Sequence, residues 1–245
     1  MRFFSRRRAK EQEERPEAFV SAIIVAAGQS RRMGGDTSKQ FILIDGVPVI
    51  VRTLKAFEIA ERIREVVIAA RQEDIPQMYA LIQDYEITKV KQIITGGETR
   101  QESVFRAIAQ VDENADFLAI HDGARPLVTK ELLEDCLAAL AQADGAAVAV
   151  ASPDTVKLAD ADGYVERSTD RSRTYLIQTP QAFYREELLK LHRALTEREG
   201  ITDDCMLLER AGHRVKLVPG RRENIKITTP ADRELAEFYL KKGTE

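Results

Sequence analysis

Cysteine and histidine are scarce in this chain, at 2 and 3 of 245 residues. Cys136 and Cys205 show no paired spacing and no secretory signal precedes them, so they read as free thiols in a reducing, cytoplasmic compartment. Their spacing with the scattered His121, His192 and His213 suggests no metal cluster. Long apolar runs are missing too. None approaches the roughly 20 residues that span a bilayer, so no membrane crossing is expected. Neither sign of charge is in large excess: 31% of residues are charged, yet the net formal charge is only -3, which speaks against a nucleic-acid partner held by bulk charge. Attraction of a charged substrate must therefore be local. The stock phosphate motifs G-x-x-x-x-G-K-[ST] and G-x-G-x-x-G are also absent, which disfavours a kinase or an NAD enzyme.

What stands in their place is a Gly-rich basic segment, Val25-Ala26-Ala27-Gly28-Gln29-Ser30-Arg31-Arg32-Met33-Gly34-Gly35, which runs on to Lys39-Gln40. It follows an apolar run at 23–27, where a strand would empty into a loop, the usual place for an open α/β sheet to hold phosphates. Gly28, Gly34 and Gly35 let main-chain amides approach an anion, and Arg31, Arg32 and Lys39 add positive charge beside them. Taken alone, the segment is equally an ordinary solvated strand-to-helix loop.

Apolar, β-branched runs at 21–26, 65–70, 90–95, 117–121 and 145–151 predict buried strands, and 49–59, 74–84, 98–111 and 130–143 carry helical periodicity. This alternation predicts an α/β, Rossmann-like, mostly parallel sheet with helices on both faces and right-handed crossovers. The loop at Gly28, the loop at Gly97 and Asp122 all follow strands, so they are expected to converge on one rim. Residues 152–177 break the rhythm. Short strands at 154–158, 163–167 and 174–177, with a turn at Asp160-Ala161-Asp162-Gly163, predict a protruding β-arm. Residues 1–19 form a charged extension, basic and then acidic, whose acids and lack of an apolar core fit neither a transit peptide nor a secretory signal.

Seven segments in order carry a resemblance. They are the first loop with Lys39-Gln40; Gly96-Gly97-Glu98-Thr99-Arg100-Gln101-Glu102-Ser103-Val104; His121-Asp122-Gly123-Ala124-Arg125-Pro126; Asp154-Thr155-Val156-Lys157; Gln178-Thr179-Pro180-Gln181; Thr202-Asp203-Asp204; and Asn224-Ile225-Lys226-Ile227-Thr228. From Val20 onward the chain resembles the 2-C-methyl-D-erythritol 4-phosphate cytidylyltransferase family, which joins CTP to a branched polyol phosphate. Ser30 stands where that family usually has a second glycine, and Val25 where proline is frequent.

The resemblance implies one nucleotidyltransferase domain over 20–245, with 152–177 clasping a second subunit in a homodimer. It implies that Arg32 and Lys39 stabilise the transition state at the CTP α-phosphate, while Arg171, beside the arm, and Lys226 hold the polyol phosphate. Cytosine is expected against the Ala26, Ala27 and Gly28 backbone with Gly97, Glu98 and Ser103. Asp122 is expected near the ribose and phosphates, on Mg²⁺ or another divalent cation, since this ion favours few carboxylates plus phosphate oxygens and water. Gly123, Arg125, Thr155, Thr179 and Thr202 complete the implied substrate contacts. Thr202 also sits where Thr-Asp-Asp would cap a helix. A phosphate nucleophile needs no strong base, because its second pKa is about 6, and His121 is expected to be a packed strand end. Three alternatives stay open here: a cytidylyltransferase for ribitol 5-phosphate, disfavoured by Ala27 and Ala124; a sugar-nucleotide glycosyltransferase, whose Asp-x-Asp is matched only by the turn at Asp160; and a silent nucleotide-binding protein.

Overall fold

In the computed structural model, which describes residues 18–28, 38–195 and 200–243, the run Val20–Val25 forms strand β1 with both faces buried. Ala22 and Ile24 join one apolar core, while Ile23 between them joins the other. The same alternation recurs along β4 (Ile63–Ala70), where Val66 and Ile68 face one core and Val67 and Ala69 the opposite one. Burial on both faces explains why these strands read as continuous apolar runs.

In chain order, β1 is followed by the short antiparallel pair β2 (Leu43–Ile44) and β3 (Val47–Pro48), then β4, β5 (Val90–Thr95), β6 (Phe117–Asp122) and β7 (Gly145–Ala151). β8 (Lys157–Ala159) and β9 (Val165–Ser168) precede β10 (Tyr175–Tyr184) and β11 (Val215–Pro219). The central sheet has seven strands in the order β11-β7-β10-β6-β1-β4-β5. All its pairings are parallel except those of β10, which lies antiparallel between β6 and β7.

Helices cover both faces. On one side α1 (Val49–Ile59) brings Leu54 and Phe57, α2 (Ile75–Asp84) brings Met78 and α4 (Lys130–Ala138) brings Leu133. Opposite them, α3 (Arg100–Ile108), α5 (Arg185–Ala194) and α6 (Cys205–Arg210) contribute Val104, Ile108, Leu188 and Leu208. The last helix, α7 (Pro230–Lys242), begins with a capping box between Thr229 and Asp232 and seats Ala236 with Ile44, Val49 and Ile227.

The expected strands at 21–26, 65–70, 90–95, 117–121, 145–151 and 163–167 and the helices at 49–59 and 74–84 are present to within about two residues, whereas the arm strand expected at 154–158 begins only at Lys157. Two other helices are shorter than expected: α3 ends at Ile108, and α4 gives way at Ala138 to a 3-10 turn over Ala139–Ala141. β10 is the larger correction. The expected arm strand at 174–177 continues through Gln178-Thr179-Pro180-Gln181 to Tyr184, and its register with β7 shifts between Ile177 and Gln181. Proline is tolerated inside a sheet at such an irregularity.

The arm is a separate two-stranded antiparallel ribbon of β8 and β9 with every strand residue exposed. Its turn is built by Asp160, whose Oδ1 accepts from the amides of Asp162 and Tyr164 at 3.1 and 2.9 Å, and by Gly163 at φ +86°. Among the described residues, no helix is long and apolar enough to cross a membrane.

Candidate active site

Parallel pairing puts the carboxyl ends of β1, β4, β5 and β6 on one rim. There the chain segments leaving β1, β5 and β6, joined by Lys39-Gln40 and Lys226, line a cavity of about 180 Å³. Each wall has an identifiable support. The Ala26 amide donates to the Ala69 carbonyl at 2.7 Å, and the buried Gln40 Nε2 donates to the Ala26 carbonyl. A Cβ at Gly96 would lie 2.4 Å from that of Ala27, and one at Gly97 2.4 Å from Glu102 Cγ, so these loops meet at a distance that only glycine permits.

The Gly97 wall is stapled to α3. Thr99 Oγ1 caps the helix by accepting from the Glu102 amide at 3.1 Å, and the Glu102 carboxylate accepts from the Glu98 amide at 2.9 Å. Ser103 Oγ accepts from the Gly97 amide at 3.0 Å and donates to the Thr99 carbonyl at 2.9 Å.

Asp122 is the electrostatic centre. Its Oδ1 accepts from Arg100 Nε at 3.2 Å, its Oδ2 lies 2.9 Å from Lys226 Nζ, and Arg125 Nε stands 3.6 Å from Oδ2. Burial alone would raise its pKa; Arg100, Lys226 and Arg125 outweigh that and hold the carboxyl far below the usual range. Arg100 also donates through Nη1 to Asp204 Oδ2 at 2.6 Å. Burial disfavours its charge, but the Asp204 and Asp122 carboxylates prevail and raise its pKa.

Beneath the cleft runs a hydrogen-bond chain. The Asp122 amide donates to Thr179 Oγ1 at 3.0 Å, that hydroxyl lies 3.0 Å from His121 Nδ1, and His121 Nε2 lies 3.2 Å from the Arg125 carbonyl. One tautomer satisfies the whole chain, with the hydroxyl donating to Nδ1 and Nε2–H donating to the carbonyl. Burial pushes the His121 pKa down to about 3, so the ring is neutral.

Several expected site residues also carry structural contacts. Ala26 has both backbone groups engaged, while Ala27 and Gly28 line the cleft. Gly123 is buried, its amide on Val25 and its carbonyl on Thr53. Thr179 uses its hydroxyl under Asp122, and Arg125 donates to the Asn224 carbonyl at 2.8 Å. These residues support the site from below. Thr202 is exposed against Met206, and it is Asp203 Oδ1, not the Thr202 hydroxyl, that accepts from the Met206 amide at 3.1 Å. Thr155 and Arg171 are exposed on the arm and do not line the cleft. Lys39, Gly97, Glu98, Ser103, Asp122 and Lys226 do line it. Arg32 lies outside the described residues, as do residues 1–17 of the charged extension.

Four residues were given no individual role by the sequence reading: Gln40, Arg100, Asp204 and Asn224. The fully buried Asn224 donates to Gln178 Oε1 at 3.2 Å and to the Thr179 carbonyl at 2.9 Å, fixing the strap that carries Lys226. All four lie inside the quoted motifs, which was the available signal; their partners are remote in sequence. Among the described residues, no group of three or more His, Cys, Asp or Glu side chains could hold a metal ion. Asp122 alone fits a divalent cation carried mainly by phosphates. It is ionised, borders the cleft, and offers about four lone-pair sites, of which Arg100 and Lys226 take two and Arg125 approaches a third.

The family model described as IspD: 2-C-methyl-D-erythritol 4-phosphate cytidylyltransferase matches residues 20–242. A relative of that name from Caldanaerobacter subterraneus is 43% identical over 226 residues, covering 91% of this chain and 99% of the relative. One from Clostridium acetobutylicum is 41% identical over 226 residues, covering 91% and 98%. Among solved structures, 4-diphosphocytidyl-2C-methyl-D-erythritol synthase from Anaerococcus prevotii superposes with a TM-score of 0.82 at 32% identity, covering 91% of this chain and 99% of that one. The 2-C-methyl-D-erythritol 4-phosphate cytidylyltransferase from Thermus thermophilus gives 0.73 at 30% identity, with the same coverage.

Proposed function

This chain belongs to the 2-C-methyl-D-erythritol 4-phosphate cytidylyltransferase family and transfers CMP from CTP to that polyol phosphate, and we propose that it does so by in-line attack of the acceptor phosphate on the CTP α-phosphorus. A bond forms between an acceptor oxygen and the α-phosphorus; the α–β bridging bond breaks, and its electron pair leaves with pyrophosphate. The observation that supports this route is convergence. Lys39, Arg100 and Lys226, from three remote segments, border one cleft around Asp122.

Two anions must meet there, so the chemistry is positioning plus prearranged positive charge. The acceptor phosphate is dianionic above about pH 6 and needs no base. His121 supplies none, being neutral, buried and bonded through both ring nitrogens. Lys39 meets the α-phosphate and, with Arg32, neutralises the β- and γ-phosphates. The cytosine lies against Ala27, Gly28, Gly97 and Glu98, with Ser103 holding the Gly97 amide in place.

Lys226 holds the acceptor phosphate. Arg171 and Thr155 reach it from the arm of a second copy, since neither lines the cleft of its own chain. The arm therefore makes a homodimer through 152–177, with Leu158, Tyr164, Val165 and Leu176 as its exposed apolar surface. Thr202 stands at the rim. Asp122 would hold Mg²⁺ together with the phosphates, and the ion supplies charge neutralisation at the triphosphate. The chain acts as one cytoplasmic nucleotidyltransferase domain from residue 20 onward, with no nucleic-acid partner.

The test is pyrophosphate release with CTP, Mg²⁺ and each of two acceptors. Release with 2-C-methyl-D-erythritol 4-phosphate is expected. Release with ribitol 5-phosphate alone would move the substrate, and release with neither would reduce the cleft to a nucleotide-binding site.

A further inference from the structure

Arg100 occupies the first turn of α3, yet its side chain turns away from that helix to bridge two remote carboxylates. Nε meets Asp122 Oδ1 at 3.2 Å and Nη1 meets Asp204 Oδ2 at 2.6 Å, at the end of β6 and the start of α6. Asp204 is 1% exposed, and its other oxygen has no hydrogen-bond partner among the described residues, so Arg100 is its principal electrostatic support. Across Asp122, the opposite oxygen holds Lys226 Nζ at 2.9 Å. Lys226 is a point charge on a flexible stem whose side chain is 37% exposed, so its location in the cleft depends on what grips it. That grip is Asp122, and the orientation of Asp122 depends on Arg100.

We propose that Arg100 is a positioning residue for the reaction: its guanidinium clamps Asp122 to Asp204 and so fixes the point at which Asp122 presents the Lys226 ammonium. The inference rests on the reading of this cleft as the place where CTP meets the acceptor phosphate. The clamp needs a fork. Two N–H directions separated by a planar group reach two carboxylates at once, which an ammonium at the same position does not reproduce. Asp204 anchors the fork to α6, a segment with no other described part in the cleft lining. Misplacing a reacting group by about 1 Å costs up to a hundredfold in rate, so a clamp one residue removed from the chemistry has a measurable kinetic signature.

The experiment uses the full chain with Arg100→Lys, Asp204→Asn and the double variant. Pyrophosphate release is measured against CTP and against 2-C-methyl-D-erythritol 4-phosphate, alongside CTP binding by calorimetry and thermal melting. Arg100→Lys is expected to lower kcat about tenfold to a hundredfold and to raise KM for the polyol phosphate more than it weakens CTP binding. Asp204→Asn shifts the same constants in the same direction by less. The double variant is no worse than Arg100→Lys, because both changes cut one clamp. Unchanged kinetic constants with a lowered melting temperature would overturn the proposal and leave Arg100 a brace of the fold; losses that multiply in the double variant would overturn it as well. Asp204→Asn, isosteric with the native residue, keeps the test available where the lysine variant does not fold. Turnover by the unmodified chain tests the reading of the cleft separately: its absence sinks that reading, whereas a fully active Arg100→Lys enzyme sinks the clamp.

Discussion

Lys226 and Arg171 are two cations assigned to the same acceptor phosphate, and the chain holds them by opposite means. Lys226 leaves a strap fastened by the fully buried Asn224 and is gripped by Asp122, itself fixed by Arg100 and by Thr179 beneath. Arg171 sits in a 3-10 turn on an exposed arm whose strand residues all face solvent. The cleft is prearranged by packing within one chain; the arm, in the proposed dimer, is completed by a second copy. An inward-built cation needs carboxylates to bear its burial, whereas an arm cation needs only a surface to reach.

The largest expected effect breaks the cleft alone. Lys39→Ala should lower turnover a hundredfold or more, about 3 kcal/mol of barrier, with the thermal melt nearly unchanged. Steady-state pyrophosphate release and calorimetric melting check it, and a collapsed melt with residual turnover would reassign Lys39 to structure.

Acid should act on the cleft through its buried groups. The folded His121 pKa is about 3 and the unfolded one near 6.5, so between those values the unfolded chain takes up a proton that the folded chain refuses. Stability is then full above pH 6.5 and declines as pH falls, by about 2 kcal/mol at pH 5. Asp122 adds loss in the same direction: its pKa is lowered in the folded state, so its contribution, present above the usual carboxylate range, is lost as pH falls toward the folded value. His121→Phe, packed against Phe57, should flatten the acid slope of urea-unfolding stability between pH 6.5 and 4. An unaltered slope would remove His121 as its cause.

Arg171→Ala should lower kcat/KM for the polyol phosphate about tenfold without moving the melt, as expected for a charge-assisted contact made outside its own chain. Mixing it with Lys226→Ala sharpens the comparison. Random reassortment leaves about a quarter of sites intact if the arm crosses between subunits; no recovery would confine Arg171 to its own chain. The smallest effect is expected at the arm's apolar surface, where Tyr164→Ser should weaken association in sedimentation and leave single-chain stability within about 0.5 kcal/mol.

The same contrast marks how far the sequence could be read. Buried parallel strands announce themselves as apolar runs, so β1, β4, β5, β6 and β7 were legible together with the rim they form. β10 was not. Gln178, Thr179, Pro180 and Gln181 look like a polar loop, and only their burial between β6 and β7 makes them a central strand. β11 is five residues long, with a single buried position at Val218, and carried too weak a pattern. In the site, positive residues at strand ends could be found from sequence, but Arg100 to Asp204 spans 104 positions and only the fold brings them together. Thr179 shows what sequence hides: its hydroxyl also joins Asp122 to His121, partners 57 and 58 positions away.

The convergence of cations on one rim is tested most directly by a crystal structure with CTP and Mg²⁺. The triphosphate should lie in the cleft with its α-phosphate within about 3 Å of Lys39 Nζ, the cytosine against Gly97 and Glu98, and Lys226 facing the open side of the α-phosphorus. A triphosphate bound elsewhere, or one with Lys39 and Lys226 both turned away from it, would contradict the proposed chemistry.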